Sequence, residues 1–351
     1  MRDSFAAATA VLVATALLCG AVAPVVGAQP GTAASTTDGP TADQTDDACG
    51  FPVELTDATG TTVALDERPE RITTVNPSAA QTLWELGVDD RVVGVSQFAF
   101  YLDGAANRTN VSASFGASVE RVVDTEPDLV LAPNSSAGDV EALREQGLTV
   151  YHFPAAASVD DIAAKTETTG RLVGACEAAA ETNAEMYDAV AAAESRTEGV
   201  DRPTALYPLG DGYVAANGTF IDAIMTAGGT DNAAADHEGY PQLSAEVILE
   251  TNPDLLLVTD PEAAVLDEEP YASTTAGVER NYVVMDRSYL NQPAPRSVME
   301  STETLADAVV ALDDAEVDAG PTADTDTRAP GFGVVAAALA LLAAGLLARR
   351  D

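Results

Sequence analysis

Reactive side chains other than carboxylates are scarce in this 351-residue chain: two histidines, His152 and His237, three cysteines, and one lysine, Lys165. Chelating a bare zinc or manganese ion takes several imidazoles together with a carboxylate, so a site for a free metal ion is not expected. His152 falls in a stretch that reads as a strand, where packing in the core or at an edge is the simpler role. His237, in the loop from Asp236 to Pro241, could instead ligate cobalt or iron within a bound complex. No nucleophile elbow, HExxH, P-loop or GxGxxG stands in a supporting context, so enzyme chemistry is not expected either. What remains is flat aromatic surface interspersed with polar groups. The aromatics are Phe98, Phe100 and Tyr101, then Tyr207 and Tyr213 within Tyr-Pro-Leu-Gly-Asp-Gly-Tyr, and Tyr240 and Tyr289. Pro77, Ser78, Ala79, Asn134, Asn291 and Arg296 are the matching companions, with Arg296 suited to an anionic group. Such a set suits non-covalent capture of a large flat ligand. Trp84 lies away from the apolar stripe of its helix and reads as packed or peripheral.

These residues need elements to carry them, and a repeat shows what those are. Ser118-Val-Glu-Arg-Val-Val-Asp-Thr-Glu-Pro-Asp-Leu-Val-Leu131 returns as Ser244-Ala-Glu-Val-Ile-Leu-Glu-Thr-Asn-Pro-Asp-Leu-Leu-Leu257, with half of the aligned positions identical. Each copy reads as a helix capped by Ser118 or Ser244, with Glu120 or Glu246 in the first turn, where the helix dipole favours acid. Pro127 or Pro253 ends it. The apolar run that follows, Leu129 to Ala132 or Leu255 to Val258, reads as a strand buried on both faces of a parallel sheet. Around the first copy, Arg71–Val75, Arg91–Val95 and Thr149–Phe153 read as strands. Ser78 and Gln81 have the spacing of a capping box for a helix with Ala79, Leu83 and Leu86 on one stripe and Gly87 at its end. Around the second, Thr204–Leu209 and Tyr282–Met285 read as strands, and Thr219 caps a helix over Phe220–Ala227. Between them, Val159 to Ser195 reads as a short helix followed by a long one from Glu177, interrupted only by Gly170 and Gly174. The expected fold class is α/β: two lobes, each a parallel-sheet α/β sandwich, joined by a long α-helix, with a cleft between them. A helical connector restrains hinge motion, so the cleft should change little on binding. Loops after the strands should line it.

Composition and the two ends say where such a body works. The chain carries 56 acidic and 17 basic residues, a net charge of −39, which excludes nucleic acid as a partner and suits a solvated surface in high salt. Hydrophobic residues make up 46%, enough for a substantial core. Arg2, the apolar run Phe5–Val26, and Gly27-Ala28 read as a secretory signal peptide over residues 1–28. Cys19 follows two leucines where lipidation wants a small residue, so lipidation there is disfavoured. A linker over 29–50 precedes the body. The expected parts of the body are an N-terminal lobe at 51–157, linking helices at 158–200 and a C-terminal lobe at 201–313. An acidic, Thr-rich linker over 314–329 leads to a second apolar run, Gly331–Ala348, closed by Arg349 and Arg350. Eighteen residues at 1.5 Å each reach about 27 Å, enough to cross a bilayer core, and the arginines place that end in the cytoplasm. Pro330-Gly331-Phe332 with this helix resembles the PGF-CTERM sorting signal of halophilic archaea, over 330–351. That resemblance implies removal of the helix and attachment of a lipid. Sequons at Asn107, Asn110, Asn134 and Asn217 fit an exported glycoprotein. Cys49 and Cys176 suit either one disulfide outside the cell or two free thiols.

Arg68-Pro-Glu-Arg-Ile72, Pro77-Ser-Ala-Ala-Gln81, Glu85-Leu-Gly87, Arg91-Val-Val-Gly-Val95 and the two Pro-Asp-Leu units, in this order, resemble the helical-backbone class of ABC-transporter solute-binding proteins. The resemblance covers roughly Phe51 to Leu312. It implies transport of vitamin B12, iron siderophores or haem, with no resident cofactor, and a corrinoid or ferric chelate as ligand. The partners it implies are an ABC-transporter permease with its cytoplasmic ATPase. It also gives Glu120 and Glu246 a role, since this class docks one glutamate per lobe onto arginines of the membrane subunits. A corrinoid is the first expectation and a ferric siderophore the second.

Overall fold

A computed structural model of the protein describes residues 49–319. The expected signal segment with Cys19, most of the linker that follows it, and the tail with its sorting signal lie outside the described residues. No helix among the described residues is long and apolar enough to cross a membrane.

The N-terminal lobe begins with an antiparallel hairpin, β1 (Val53–Thr56) and β2 (Thr62–Leu65). It continues through β3 (Ile72–Thr74), α1 (Pro77–Glu85), β4 (Val92–Val95), β5 (Thr109–Asn110), α2 (Val119–Asp124), β6 (Leu129–Ala132), α3 (Ala137–Glu145) and β7 (Val150–His152). Its sheet is parallel throughout, in the order β5-β4-β3-β6-β7. Two helices follow, α4 (Val159–Val173) and α5 (Cys176–Arg196). The C-terminal lobe comprises β8 (Thr204–Leu206), β9 (Pro208–Gly210), β10 (Tyr213–Val214), α6 (Phe220–Ala227), β11 (Asp231–Asn232), α7 (Ala245–Thr251), β12 (Leu255–Val258), α8 (Thr275–Glu279), β13 (Tyr282–Val284) and α9 (Arg287–Leu290), and α10 (Pro295–Ala319) closes the described chain. Its parallel sheet has the order β11-β8-β12-β13.

The repeated segments occupy matching places. β6 lies between β3 and β7, and β12 lies between β8 and β13. All four residues of each strand are buried, because helices cover both faces of both sheets. In β6, Leu129 and Leu131 join the core under α1 while Val130 and Ala132 face α2 and α3, the two-residue alternation of a strand. The serine caps form, with Ser118 accepting from Arg121 N–H and Ser244 from Val247 N–H. The repeated aspartate has a role that the sequence reading left open. Asp128 accepts from the N–H groups of Glu70 and Arg71 at 2.9 and 2.8 Å, and Asp254 accepts from the N–H and hydroxyl of Thr204 at 3.0 and 2.7 Å. Each thereby fastens the start of the neighbouring strand.

Three local expectations need correction. The Ser78–Gln81 capping box does not form. Pro77 has no N–H to lose and suits the first helical position, so the cap moves back to Asn76, whose Oδ1 accepts from Ser78 N–H at 2.9 Å. The strand expected over Thr204–Leu209 stops at Leu206, because Pro208 offers no N–H to a ladder, and β9 turns away to pair with β10. The linker expected from Asp314 starts inside α10, which runs on to Ala319.

The connector is a pair of crossing helices. Ile162 and Ala163, early in α4, pack in the core of the C-terminal lobe, while Leu172 and Val173, at its end, pack in the N-terminal one. In α5 the order is reversed, with Ala179 in the N-terminal core and Met186 in the C-terminal core. The chain therefore crosses between lobes three times. A Cβ at Gly170 would stand 2.6 Å from that of Ala179, so only glycine allows the two helices to lie this close. A disulfide between Cys49 and Cys176, 127 residues apart, ties the chain ahead of β1 to the first residue of α5. A crosslink across so long a loop restricts the unfolded chain, and replacing both cysteines with serine should cost about 2–5 kcal/mol of stability. Urea unfolding of the unreduced proteins checks this, and equal midpoints would show that the bridge contributes nothing.

Candidate ligand-binding cleft

The ends of the parallel strands point the loops of both lobes at one another, and the loops enclose a cavity of about 430 Å³. Asn76 and Ser78 enter it from the turn after β3, Pro133 to Ser135 from the turn after β6, and Pro154 to Ala157 from the segment after β7. The facing wall holds Leu209, Gly218 to Ile221, Gly239, Tyr240, and Leu290 to Pro293. Lys165 of α4 also reaches it. Both sheets thus open onto the cavity at the carboxyl ends of their strands, where α/β folds place their ligands.

Of the residues singled out in the sequence, Ser78, Asn134, Tyr240 and Asn291 line this cavity. Pro77 lies buried beside Ser78 at the start of α1. Tyr207 is buried behind the wall, its hydroxyl donating to Asn291 Oδ1 at 3.4 Å. Tyr101 and Tyr289 meet edge to face across the two lobes with ring centres 6.0 Å apart. Burial, chiefly, pushes the Tyr101 phenol up to about 12, so it stays neutral while accepting from Gln81 Nε2 at 2.8 Å. Phe98 is 67% exposed, Phe100 and Tyr213 are also exposed, and none of the three lines the cavity. Arg296 pairs with Glu85 of α1, so its guanidinium is engaged within the protein. Burial raises the Glu85 carboxyl even though Arg296 opposes it.

The expected surface glutamates are both solvent-exposed, Glu120 in the first turn of α2 and Glu246 in the first turn of α7. Three residues on, each helix exposes an apolar side chain, Val123 or Leu249. The two helices, products of the repeat, present the same pairing of acid and apolar group on both lobes. His152 is buried with Nδ1 3.0 Å from Ala132 O, a packing role. His237 does not line the cavity, and no cluster of potential metal ligands occurs among the described residues. Trp84 packs at the margin of the N-terminal core and donates to Asp103 O.

Sequence reasoning did not find the junction beneath the cavity. Gln81, fully buried in α1, accepts through Oε1 from both the N–H and the hydroxyl of Ser297 in α10, at 3.1 and 3.0 Å. Lys165, only 6% exposed, donates to Ser78 Oγ of one lobe at 3.0 Å and to Pro293 O of the other at 2.9 Å. Both partners are neutral, and burial alone brings the amine down to about 7. The signal that was legible is its solitude: one lysine in the whole chain, on a helix that joins the lobes.

Two parallel-sheet lobes sharing one cleft, braced by helices that cross between them, define a solute-binding architecture. Residues 72–289 match the periplasmic binding protein family, and the chain belongs to that family. It is 44% identical over 338 residues to a cobalamin-binding protein of Halobacterium salinarum, covering 87% of this chain and 90% of that one. Among solved structures it resembles the apo form of the periplasmic haem-binding protein RhuT from Roseiflexus sp. RS-1. That match has a TM-score of 0.62 and 26% identity, over 68% of this chain and 99% of that one. The periplasmic vitamin B12-binding protein BtuF of Vibrio cholerae shares the fold, with a TM-score of 0.60 and 22% identity over 69% and 97% of the two chains. Residues 329–350 match the PGF-CTERM motif, which with the family indicates an extracellular, surface-anchored protein.

The Lys165 amine supplies a pH test of the folded junction. Its folded value lies below the ordinary lysine value of 10.5. Below about pH 7 it is charged in both states, and folding bears the full cost of burying the ammonium. As pH rises from 7 toward 10.5, the unfolded chain holds the proton that the folded one has released, so wild-type stability gains relative to Lys165→Met. The gain should be about 1 kcal/mol per pH unit, read from urea unfolding of both proteins at pH 6.5, 8 and 9.5. A difference between the two that does not change with pH would show that the amine is not desolvated.

Proposed function

We propose that this protein is the extracytoplasmic binding component of an ABC importer and that its ligand is a corrinoid of the cobalamin type. The relative that shares 44% of its residues over most of both chains is a cobalamin-binding protein, and that observation carries the choice of ligand. The cleft fits the role, with Tyr240 and Phe220 as flat surface and Asn134, Ser135, Asn291 and Gln292 as polar anchors around it. The protein holds its ligand and releases it chemically unchanged. The stiffness of α4 and α5 implies capture with little movement of one lobe against the other. A second reading, haem, rests on the 26% identity to RhuT along nearly all of that protein.

Glu120 and Glu246 serve as the contacts to the two permease subunits, each supported by the exposed Val123 or Leu249 beside it. The permease works with a cytoplasmic ATPase, while a C-terminal anchor holds the binding protein to the outer face of the membrane.

Titrating the mature protein in high salt with cyanocobalamin, haem and a ferric hydroxamate, following the fluorescence of its single tryptophan, tests the ligand. Saturable binding of cyanocobalamin is expected; saturation by the ferric hydroxamate or haem alone would overturn the corrinoid reading. Replacing Glu120 and Glu246 together with alanine should leave ligand affinity within about twofold while uptake by cells falls about tenfold or more, because charge pairs at a docking face act on complex formation. Undiminished uptake would remove both residues from the docking role.

A further inference from the structure

The chain has a net charge of −39, yet the one charged side chain that lines the cavity between the lobes is a lysine. Among the described residues no carboxylate lines the cavity, and its single ionisable cation is Lys165. The neighbouring opening, which Lys165 also lines, does hold two acids, Asp57 and Asp161. The amine itself is incompletely served. An ammonium carries three donors, and Ser78 Oγ and Pro293 O take two. Among the described residues Lys165 forms no ion pair, its two hydrogen-bond partners being a hydroxyl and a carbonyl. A buried cation without a counter-ion is costly, and the cost falls when an anion is brought to it. Neutral polar side chains, Asn134, Asn291 and Gln292, stand around the same cavity.

From this geometry we infer that the cleft selects ligands bearing an anionic oxygen group and that Lys165 is the residue that receives it. The inference rests on the corrinoid reading for its particular form: in a complete corrinoid the anionic group is the phosphodiester of the nucleotide loop. In haem, the same chemistry would come from a propionate.

The experiment compares cyanocobalamin with dicyanocobinamide, which has the same corrin ring but lacks the phosphate-bearing nucleotide loop. Wild-type protein should bind cyanocobalamin about tenfold more tightly or better, as expected of a charge-assisted hydrogen bond formed away from water. Lys165→Met should lose most of that preference by weakening cyanocobalamin while leaving dicyanocobinamide within about twofold. A merely structural role for Lys165 would weaken both ligands together, and that result overturns the inference. Equal wild-type affinity for the two corrinoids overturns it as well, without any variant. Should neither corrinoid bind, the corrinoid reading fails separately, and haem against haem dimethyl ester decides the inference: preference for the free propionates sustains it, and equal binding ends it.

Discussion

The cleft exists because helices, not strands or loops, carry the chain from one lobe to the other. α4 and α5 each bury one end in each hydrophobic core, so neither lobe can rotate without pulling apolar side chains out of the other. The close approach at Gly170 locks the two together, and α10 packs along α5 while sending Ser297 and Arg296 to α1. Bending such a bundle would expose core surface and break buried hydrogen bonds at once. The shape of the cavity is therefore set mainly by folding, and binding meets a surface already arranged, which lowers the entropic cost of capture.

How much of this was legible in the sequence depended on whether the signal was local. The two Pro-Asp-Leu segments marked β6 and β12 to the residue, because a proline-closed helix followed by four apolar residues has few other solutions. Thr219 and the helix after it were equally plain. Asn76 was passed over for Ser78, although an asparagine directly before a proline is itself a helix-start signal. α10 was missed although Val298, Leu305, Val309 and Leu312 recur at helical spacing and are all buried. The candidate site was less legible. Flat aromatics were sound guesses for a large ligand, but Tyr101, Tyr207 and Tyr289 are occupied in packing and hydrogen bonds within the protein, and Arg296 is held by Glu85. Nothing in a linear chain shows that Ser78, Lys165 and Pro293, spread over more than 200 positions, converge on one amine.

The duplication also explains why acid sits where it does. Where the repeat placed a carboxylate for structure, it is consumed at a strand start, as with Asp128 and Asp254. Where it placed one at a helix N-terminus, as with Glu120 and Glu246, it is left in solvent. Apart from Lys165, the residues lining the cavity are apolar or neutral, and exposed acids such as Glu120 and Glu246 suit a surface hydrated in concentrated salt.

The triple crossing has a consequence for the order in which this protein can assemble. The strands of the first sheet are contiguous in sequence from β3 to β7, and Cys176 arrives soon after them, so an emerging chain can complete that sheet and meet its disulfide partner early. The residues that close the junction, Pro293, Arg296 and Ser297, come almost at the end of the described chain, and α4 cannot bury Ile162 until the second core has formed. A nascent chain would therefore spend much of its synthesis with one lobe built and half of each connecting helix bare. The cleft is the last part to come into being, so only a chain that already includes Ser297 can bind.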